Sequence, residues 1–273
     1  MSQSIDTLGI IAGDRGLPLL LAREARAAGV RKLIAIGFED QSNRELESLV
    51  DKMVWMKLGQ LSKLIEAFKD HGVKQCVMVG KIQPKTFLDV RPDLRTAMAV
   101  LKLKEKNAHT LFGAFADELL KDGIELIPAT PWLQPIMPSD GFQIGPKLSD
   151  EEREDVAFGF RIAKEVSRLE IGQSVVVKRG SVLAVEGFEG TDKCLARGGE
   201  LAGKDGDGVA VKVAKDKHDM RWDIPCIGAG TIETCIAARI RVLALEAGKT
   251  LLLDREQVEA LVKKHKISVV TVS

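Results

Sequence analysis

Residues 6–29, DTLGIIAGDRGLPLLLAREARAAG, decide the fold. Asp6 to Ala12 is a short apolar run of strand length, and Gly13-Asp14-Arg15-Gly16-Leu17-Pro18 interrupts it. Leu17, Leu20, Leu21, Ala25 and Ala28 then recur at helical spacing until Gly29 stops them, so the stretch predicts strand, loop, helix. The same alternation continues outward. Lys32 to Gly37 (KLIAIG) predicts a second buried strand and Met53 to Met56 a third. Leu58 to His71 predicts a helix closed by Gly72, and Gln75 to Gly80 (QCVMVG) a fourth strand. Helices follow at Asp93 to Lys104 and Ala108 to Lys121, and Ile124 to Pro128 returns as a strand. Strands alternating with helices of this length make a parallel sheet covered on both faces. The reading is an α/β protein with a Rossmann-like N-terminal domain over residues 1–128.

Four prolines and two glycines between Ala129 and Pro146 break any long element, so residues 129–148 read as a linker and cleft segment. Its apolar members, Trp132, Leu133, Ile136, Met137 and Phe142, are either one wall of an apolar cleft or buried packing. Ser149 with Glu152 forms a capping box that opens a helix to about Leu169 and a second α/β domain over residues 149–273. Ser174 to Lys178 and Val182 to Glu186, joined by Arg179-Gly180-Ser181, predict a hairpin, and Val209 to Val213 another strand. A helix from about Thr231 to Glu246, a strand at Lys249 to Leu253, a helix at Arg255 to His265 and a strand at Ile267 to Val272 complete the reading.

Forty Lys plus Arg against 39 Asp plus Glu leave a net charge of +1, which removes the global basic field of a nonspecific nucleic-acid binder. Cys76, Cys194, Cys226 and Cys235 form no CxxC pair, which argues against a zinc knuckle or a disulfide framework and fits a reducing cytoplasm. Met1 to Thr7 lacks the features of a signal peptide, and no apolar run approaches the length of a bilayer span, so a soluble protein is expected.

The chemistry-bearing residues gather in four places. Gly13 and Asp14 sit where a Rossmann fold places its phosphate loop, without the full GxGxxG spacing. The glycines either serve the turn alone or let backbone amides hold a nucleotide portion other than NAD. Gly80 and Lys81 leave the fourth strand at the carboxyl edge of the sheet, where Lys81 either meets a phosphate or is simply solvated. Glu186-Gly187-Phe188-Glu189-Gly190-Thr191-Asp192 crowds three acids and a hydroxyl around two glycines, a composition that suits a hard cation such as Mg²⁺ or an N-cap. Finally, Lys217 to Glu233 delivers Arg221, Asp223 and Thr231 to a Pro/Gly-shaped turn that opens a helix; Asp223 is either an ordinary turn acid or holds a metal or water beside a phosphate, with Lys178 and Lys212 on inferred strands of the same half as counter-charges where the fold brings them together. The histidines show no metal spacing, and neither GxSxG nor HExxH occurs.

Three runs carry a resemblance that spans nearly the whole chain: Ile171-Gly172-Gln173-Ser174-Val175-Val176-Val177-Lys178; Val182-Leu183-Ala184-Val185-Glu186 with Glu189-Gly190-Thr191-Asp192; and Arg221-Trp222-Asp223-Ile224-Pro225-Cys226-Ile227-Gly228. In this order they resemble the LpxI-type UDP-2,3-diacylglucosamine diphosphatases of bacterial lipid A synthesis. The resemblance implies Mg²⁺-dependent hydrolysis of UDP-2,3-diacylglucosamine to UMP and 2,3-diacylglucosamine 1-phosphate, water attacking the α-phosphorus. Asp223 falls at the family's catalytic aspartate. On this reading Asp223, Asp192 and Glu189 hold the metal, and Gly13, Asp14, Gly80, Lys81, Thr130, Lys178, Thr191 and Lys212 contact the substrate. Peripheral contact with the inner membrane and a homodimer are both compatible with it. The chain departs from the family at Asp14-Arg15 in the first loop, at Cys226 in place of a threonine, and at Ala229-Gly230 in place of a proline-containing pair. The rival readings are a noncatalytic sugar-nucleotide or lipid-binding protein and a Rossmann-type oxidoreductase.

Overall fold

The computed structural model describes residues 5–14, 16–82, 92–104, 108–214, 219–222 and 224–273. The chain divides into two compact units, residues 1–133 with Asp219–Trp222, and residues 134–218 with 223–273.

In the first unit, β1 (Thr7–Ala12), β2 (Lys32–Phe38), β3 (Lys52–Met56), β4 (Gln75–Val79) and β5 (Glu125–Leu126) form a parallel sheet in the order β3-β2-β1-β4-β5. This is the order of the doubly wound, Rossmann-type sheets, and it reverses between β1 and β4. Strands β1 and β2 read as continuous apolar runs because both faces are covered, and Leu8, Ile10, Leu33, Ile34 and Ile36 are fully buried. Helices α1 (Leu17–Ala27), α2 (Leu61–Asp70), α3 (Leu94–Leu101) and α4 (Ala108–Lys121) accompany the sheet.

Helix α3 is held differently from the others, since none of its residues is buried. One Asp93 carboxylate caps two helices at once, accepting from the backbone N–H of Thr96 at 2.8 Å and from that of Ser62 in the first turn of α2 at 2.7 Å. Arg95 then ties α3 to α4 through Glu118 at 2.7 Å and Asp122 at 2.6 Å. Partial burial pushes the Asp93 carboxyl up, but the two N–H donors outweigh it and hold the group below the usual aspartate range. A depressed carboxyl stabilises the fold above its unfolded pKa and loses that contribution as pH falls through the folded one. Asp93→Ala is therefore expected to cost about 1–2 kcal/mol in urea unfolding at pH 7. The gap between variant and wild type should close as the pH is taken below the ordinary carboxylate range; a gap independent of pH would place the loss elsewhere.

In the second unit, β6 (Gln143–Ile144), β7 (Ser174–Lys178), β8 (Ser181–Val185), β9 (Gly208–Lys212), β11 (Ile240–Glu246) and β13 (Ser268–Val272) form one sheet, ordered β6-β13-β11-β9-β7-β8. A separate parallel pair joins β10 (Cys226–Ile227) to β12 (Leu251–Leu252). Val175, Val177 and Val211 face α5 (Asp150–Arg168) on one side. Val176, Ala210 and Leu243 face the layer of α6 (Thr191–Leu201), α7 (Ala229–Ala237) and α8 (Arg255–His265) on the other. The Ser149–Glu152 capping box is present at the start of α5.

Two expectations need correction. The helix expected over Thr231 to Glu246 ends at Ala237, and Ile240–Glu246 is instead the strand β11, paired on both sides. Arg239 makes the break in the left-handed region, at φ +53°. Leu, Ala, Arg and Glu in IRVLALE favour helix locally, and burial between two neighbouring strands overrides that preference. The stretch read as linker, 129–148, is also more ordered than its prolines suggest. Pro131 sits in the first turn of a short helix, Thr130–Leu133, where its missing N–H is not needed, and Gln143–Ile144 is an edge strand antiparallel to β13. Its Trp132, Leu133 and Met137 are buried, so of the two readings for them the packing one holds.

Candidate active site

The first unit brings together the two loops that the sequence singled out separately. Gly13 and Gly80 leave the carboxyl ends of β1 and β4, where the strand order reverses. The Gly13 N–H donates to the Val79 carbonyl and the Asp14 N–H to that of Lys81, both at 2.8 Å. A Cβ on Gly13 would lie 2.6 Å from the Gly80 carbonyl, and Gly80 itself has φ +90°, so both glycines are required for the two backbones to run this close. The amides of Gly13 and Asp14 are thus engaged in pairing rather than directed at a ligand. Lys81 is exposed, and Thr130 lies just beyond the end of β5.

The second unit holds a buried polar cluster at the carboxyl edge of its parallel strands. Strand β9 ends at Lys212, and Ser174 at the start of the antiparallel β7 is its register partner. Glu186 directly follows β8, and its N–H donates to the Ser174 carbonyl at 2.9 Å. This approach needs Gly172, where a Cβ would stand 2.0 Å from the Glu186 carbonyl oxygen, a physical reason for the glycine in the IGQS run. The turn after Glu186 then feeds Thr191 into the start of α6, which Gly190 leaves without a side-chain cap.

Thr191 Oγ1 is the hub. It accepts from Lys212 Nζ at 3.1 Å, donates to Glu186 Oε1 at 3.1 Å, and lies 3.4 Å from Ser174 Oγ. Lys212 is 7% exposed and Glu186 6%. The Lys212 ammonium carries three donors, yet its one partner among the described residues is this hydroxyl. Glu186 Oε2 is buried and has no hydrogen-bond partner among the described residues. A buried cation and a buried carboxylate oxygen, each incompletely satisfied among the described residues, stand together at the carboxyl edge of the sheet, where open α/β sheets take ligands.

The other predicted residues are differently placed. Lys178 Nζ donates to the carbonyls of Ala202 at 2.9 Å and Gly206 at 2.7 Å, closing the end of α6 instead of facing the cluster. Glu189 pairs with Arg197 at 2.6 Å and accepts from the Gly187 N–H at 3.0 Å; the Arg197 bond is the main reason its carboxyl lies below the usual glutamate range. Asp192 is exposed in the first turn of α6. Asp223 and Arg15 lie outside the described residues, but the neighbours of Asp223 do not. Arg221 makes a two-pronged pair with Asp219, at 2.8 and 2.6 Å, and stacks over the Trp222 ring at 4.5 Å. Trp222 in turn packs on Phe112 of α4, centroids 6.2 Å apart, within the first unit. On the other side of Asp223, the Pro225 carbonyl accepts from the Leu251 N–H at 2.8 Å. Cys76, Cys194 and Cys235 are buried and Cys226 is exposed; burial raises the Cys194 and Cys235 thiols to about 12.

Glu186 was passed over in favour of Glu189 and Asp192, although it belongs to the same acidic turn. Its position, immediately after an apolar strand, was the signal that distinguishes it, because a residue at a strand's carboxyl end is the one a sheet edge presents to a ligand.

Fold and site define an α/β protein of two units with candidate ligand groups at the carboxyl edges of both sheets. Residues 7–136 match the LpxI N-terminal domain and residues 139–270 the LpxI C-terminal domain, so the chain belongs to the LpxI family. A curated relative, UDP-2,3-diacylglucosamine pyrophosphatase LpxI of Caulobacter vibrioides, is 30% identical over 262 residues, covering 93% of this chain and 92% of the relative. Solved structures are more distant. The crystal structure of gox2253 is 12% identical, covering 97% of this chain and 78% of that one, with a TM-score of 0.36. A biotin carboxylase domain of Hydrogenobacter thermophilus 2-oxoglutarate carboxylase is 14% identical, covering 73% and 42%, with a TM-score of 0.29. Neither likeness bears on function.

Proposed function

We propose that the protein hydrolyses the pyrophosphate bond of UDP-2,3-diacylglucosamine, with water attacking the α-phosphorus to release UMP and 2,3-diacylglucosamine 1-phosphate in lipid A synthesis. The observation that carries this reading, beside membership of the family along the whole chain, is the buried Lys212 ammonium. It stands at a sheet's carboxyl edge beside an uncapped helix start and needs an anion. A phosphate oxygen of the substrate supplies that anion.

The same edge suits magnesium. Mg²⁺ is commonly held by one or two carboxylates, with phosphate oxygens and water completing its shell, so a cluster of three acidic ligands is not required. Among the described residues none exists. Glu186 Oε2 is a buried carboxylate oxygen with no partner among the described residues, whereas Glu189 is engaged by Arg197. We assign the metal to Asp223 with Glu186, in place of Glu189. When bound, the ion neutralises charge on the pyrophosphate and lowers the pKa of a coordinated water. Lys212, Thr191 and the start of α6 hold the phosphate oxygens, and the Asp223 carboxylate orients the attacking water. No described helix is long and apolar enough to cross a membrane. A substrate with a nucleotide head and two lipid tails fits a cytoplasmic enzyme in peripheral contact with the inner membrane.

The test uses the purified protein with UDP-2,3-diacylglucosamine in mixed micelles and ¹⁸O-water. UMP should appear in equal amount with the glycolipid phosphate, stop on addition of EDTA, return with Mg²⁺, and carry the label in its phosphate. Label in the glycolipid phosphate would mean attack at the other phosphorus, and the absence of UMP would refute the activity.

A further inference from the structure

Helix α3 is apolar on two faces. Thr96, Ala99 and Val100 turn inward, lining a space with Phe112 and Phe115 of α4, and this is the face that packs on the first unit. Leu94, Met98 and Leu101 recur at i, i+4 and i+7 and stand 77%, 48% and 76% exposed. A helix that packs one side against a core ordinarily carries polar residues on the other. Single exposed leucines need no explanation, but three large apolar side chains aligned along one exposed face mark an interaction surface.

The charges beside that face fix what it meets. A shallow, open groove runs between α3 and α4, lined by Leu94, Met98, Arg95, Lys102, Glu118 and Lys121 among others. Three cations there face one carboxylate. Glu118 is already held by Arg95, at 2.7 Å, and by Lys121, and the neighbouring Asp122 is shared between Arg95 at 2.6 Å and Lys69 at 3.1 Å. Lys102 and Lys104 are exposed at the end of α3 and just beyond it, and neither is tied to an acid among the described residues. The chain as a whole carries only +1, so this excess is local. A second copy of the chain meeting the face across a two-fold axis would bring the same lysines against one another, which like-charge repulsion opposes. A bilayer with anionic headgroups accommodates both features together. Its hydrocarbon accepts Leu94, Met98 and Leu101, and its phosphates accept the ammonium groups at the ends of the lysine stems.

We propose that this face of α3, with the groove beside it, docks the protein on an anionic lipid bilayer. Leu94, Met98 and Leu101 enter between the lipids, and Lys102, Lys104 and Lys121 meet the phosphates. The inference takes its purpose from the function proposed above, since a diacylated substrate resides in a membrane, but it is decided by separate measurements.

The purified protein should cosediment with vesicles of phosphatidylglycerol in phosphatidylcholine, not with phosphatidylcholine alone, and about 0.5 M NaCl should weaken the binding. Leu94→Gln with Leu101→Gln keeps helix propensity at two exposed positions, so the melting temperature should hold while the partition coefficient falls at least tenfold. Lys102→Gln with Lys104→Gln should lower it by about fivefold per lysine. Both double variants should release UMP at the wild-type rate from substrate dispersed in nonionic detergent, and more slowly from substrate carried in anionic vesicles. On the unaltered protein, amide exchange across residues 94–101 should slow when those vesicles are added, a result that does not depend on any variant. Binding that survives both double variants, with the protection falling elsewhere, overturns the assignment. So does a dimer that Leu94→Gln with Leu101→Gln converts to monomer without changing sedimentation, which would make the face a contact between copies. If the wild type releases UMP but does not bind the vesicles, the docking surface fails and the activity stands. If it releases no UMP while the variants lose vesicle binding, the activity reading fails and the docking surface is upheld.

Discussion

Lys212→Met is expected to remove at least 99% of UMP release while leaving the melting temperature unchanged or raised. The two halves of this result come from one geometry. The ammonium is 7% exposed and donates to a single neutral hydroxyl, with no carboxylate in ion-pairing reach among the described residues. Taking a charge out of water costs several kcal/mol, and nothing described around Lys212 repays that in the unliganded protein. Methionine has nearly the same length and no charge to desolvate, so it fits between Ser174 and Thr191 without that cost. On the proposed function, the same ammonium faces developing phosphate charge in the substrate complex, where losing one donor costs about 10²- to 10³-fold in rate. Thermal unfolding and UMP release measured on one preparation decide the matter. A variant that melts well below wild type while the surviving folded fraction turns over normally would make Lys212 a structural residue and take the phosphate away from this edge.

The first sheet was legible because its central strands are buried on both faces and therefore apolar from end to end, and β1 and β3 are each followed by a helix of ordinary length. Thr7–Ala12, Lys32–Phe38 and Gln75–Val79 needed no tertiary knowledge. Strand β11 was not legible for the opposite reason. Ile240–Glu246 follows a genuine helix with only Ala238 and Arg239 between, and its composition suits helix as well as strand, so the left-handed break at Arg239 is the deciding feature and belongs to the backbone. Losing β11 also hid Glu246. That residue ends the strand, is 6% exposed, and binds the Ala214 N–H at 2.8 Å and Lys249 at 2.7 Å, so it braces the edge on which Lys212 lies.

At the site, sequence gave the neighbourhood and left open which member acts. Glu186, Glu189 and Asp192 are interchangeable on the page. They separate only when Arg197, one helical face away, is seen to take Glu189 and when Thr191 is seen to leave one oxygen of Glu186 free. Lys178 and Lys212 likewise both stand at strand ends, but at opposite ends of antiparallel neighbours. One therefore meets the last carbonyls of α6 and the other its first turn.

Asp223→Ala is expected to lower turnover by about 10³-fold or more and to keep the substrate bound. The described residues on each side of this position are each anchored within their own unit. Trp222 is seated on Phe112 with Arg221 stacked behind it, and Pro225 to Ile227 are stitched to Leu251–Leu252. On the proposed function, water positioning and metal binding are lost while the contacts of Lys212 and Thr191 are kept. Titration calorimetry with UDP-2,3-diacylglucosamine in micelles should give a Kd for Asp223→Ala within about tenfold of the value for an inactive, metal-stripped wild type. Asp223→Asn, which keeps size and polarity but not charge, should be as inactive as alanine if the carboxylate acts as metal ligand or base. An asparagine variant with a tenth or more of native turnover would show that Asp223 serves the turn by hydrogen bonding, and the catalytic acid would have to be sought at Glu186.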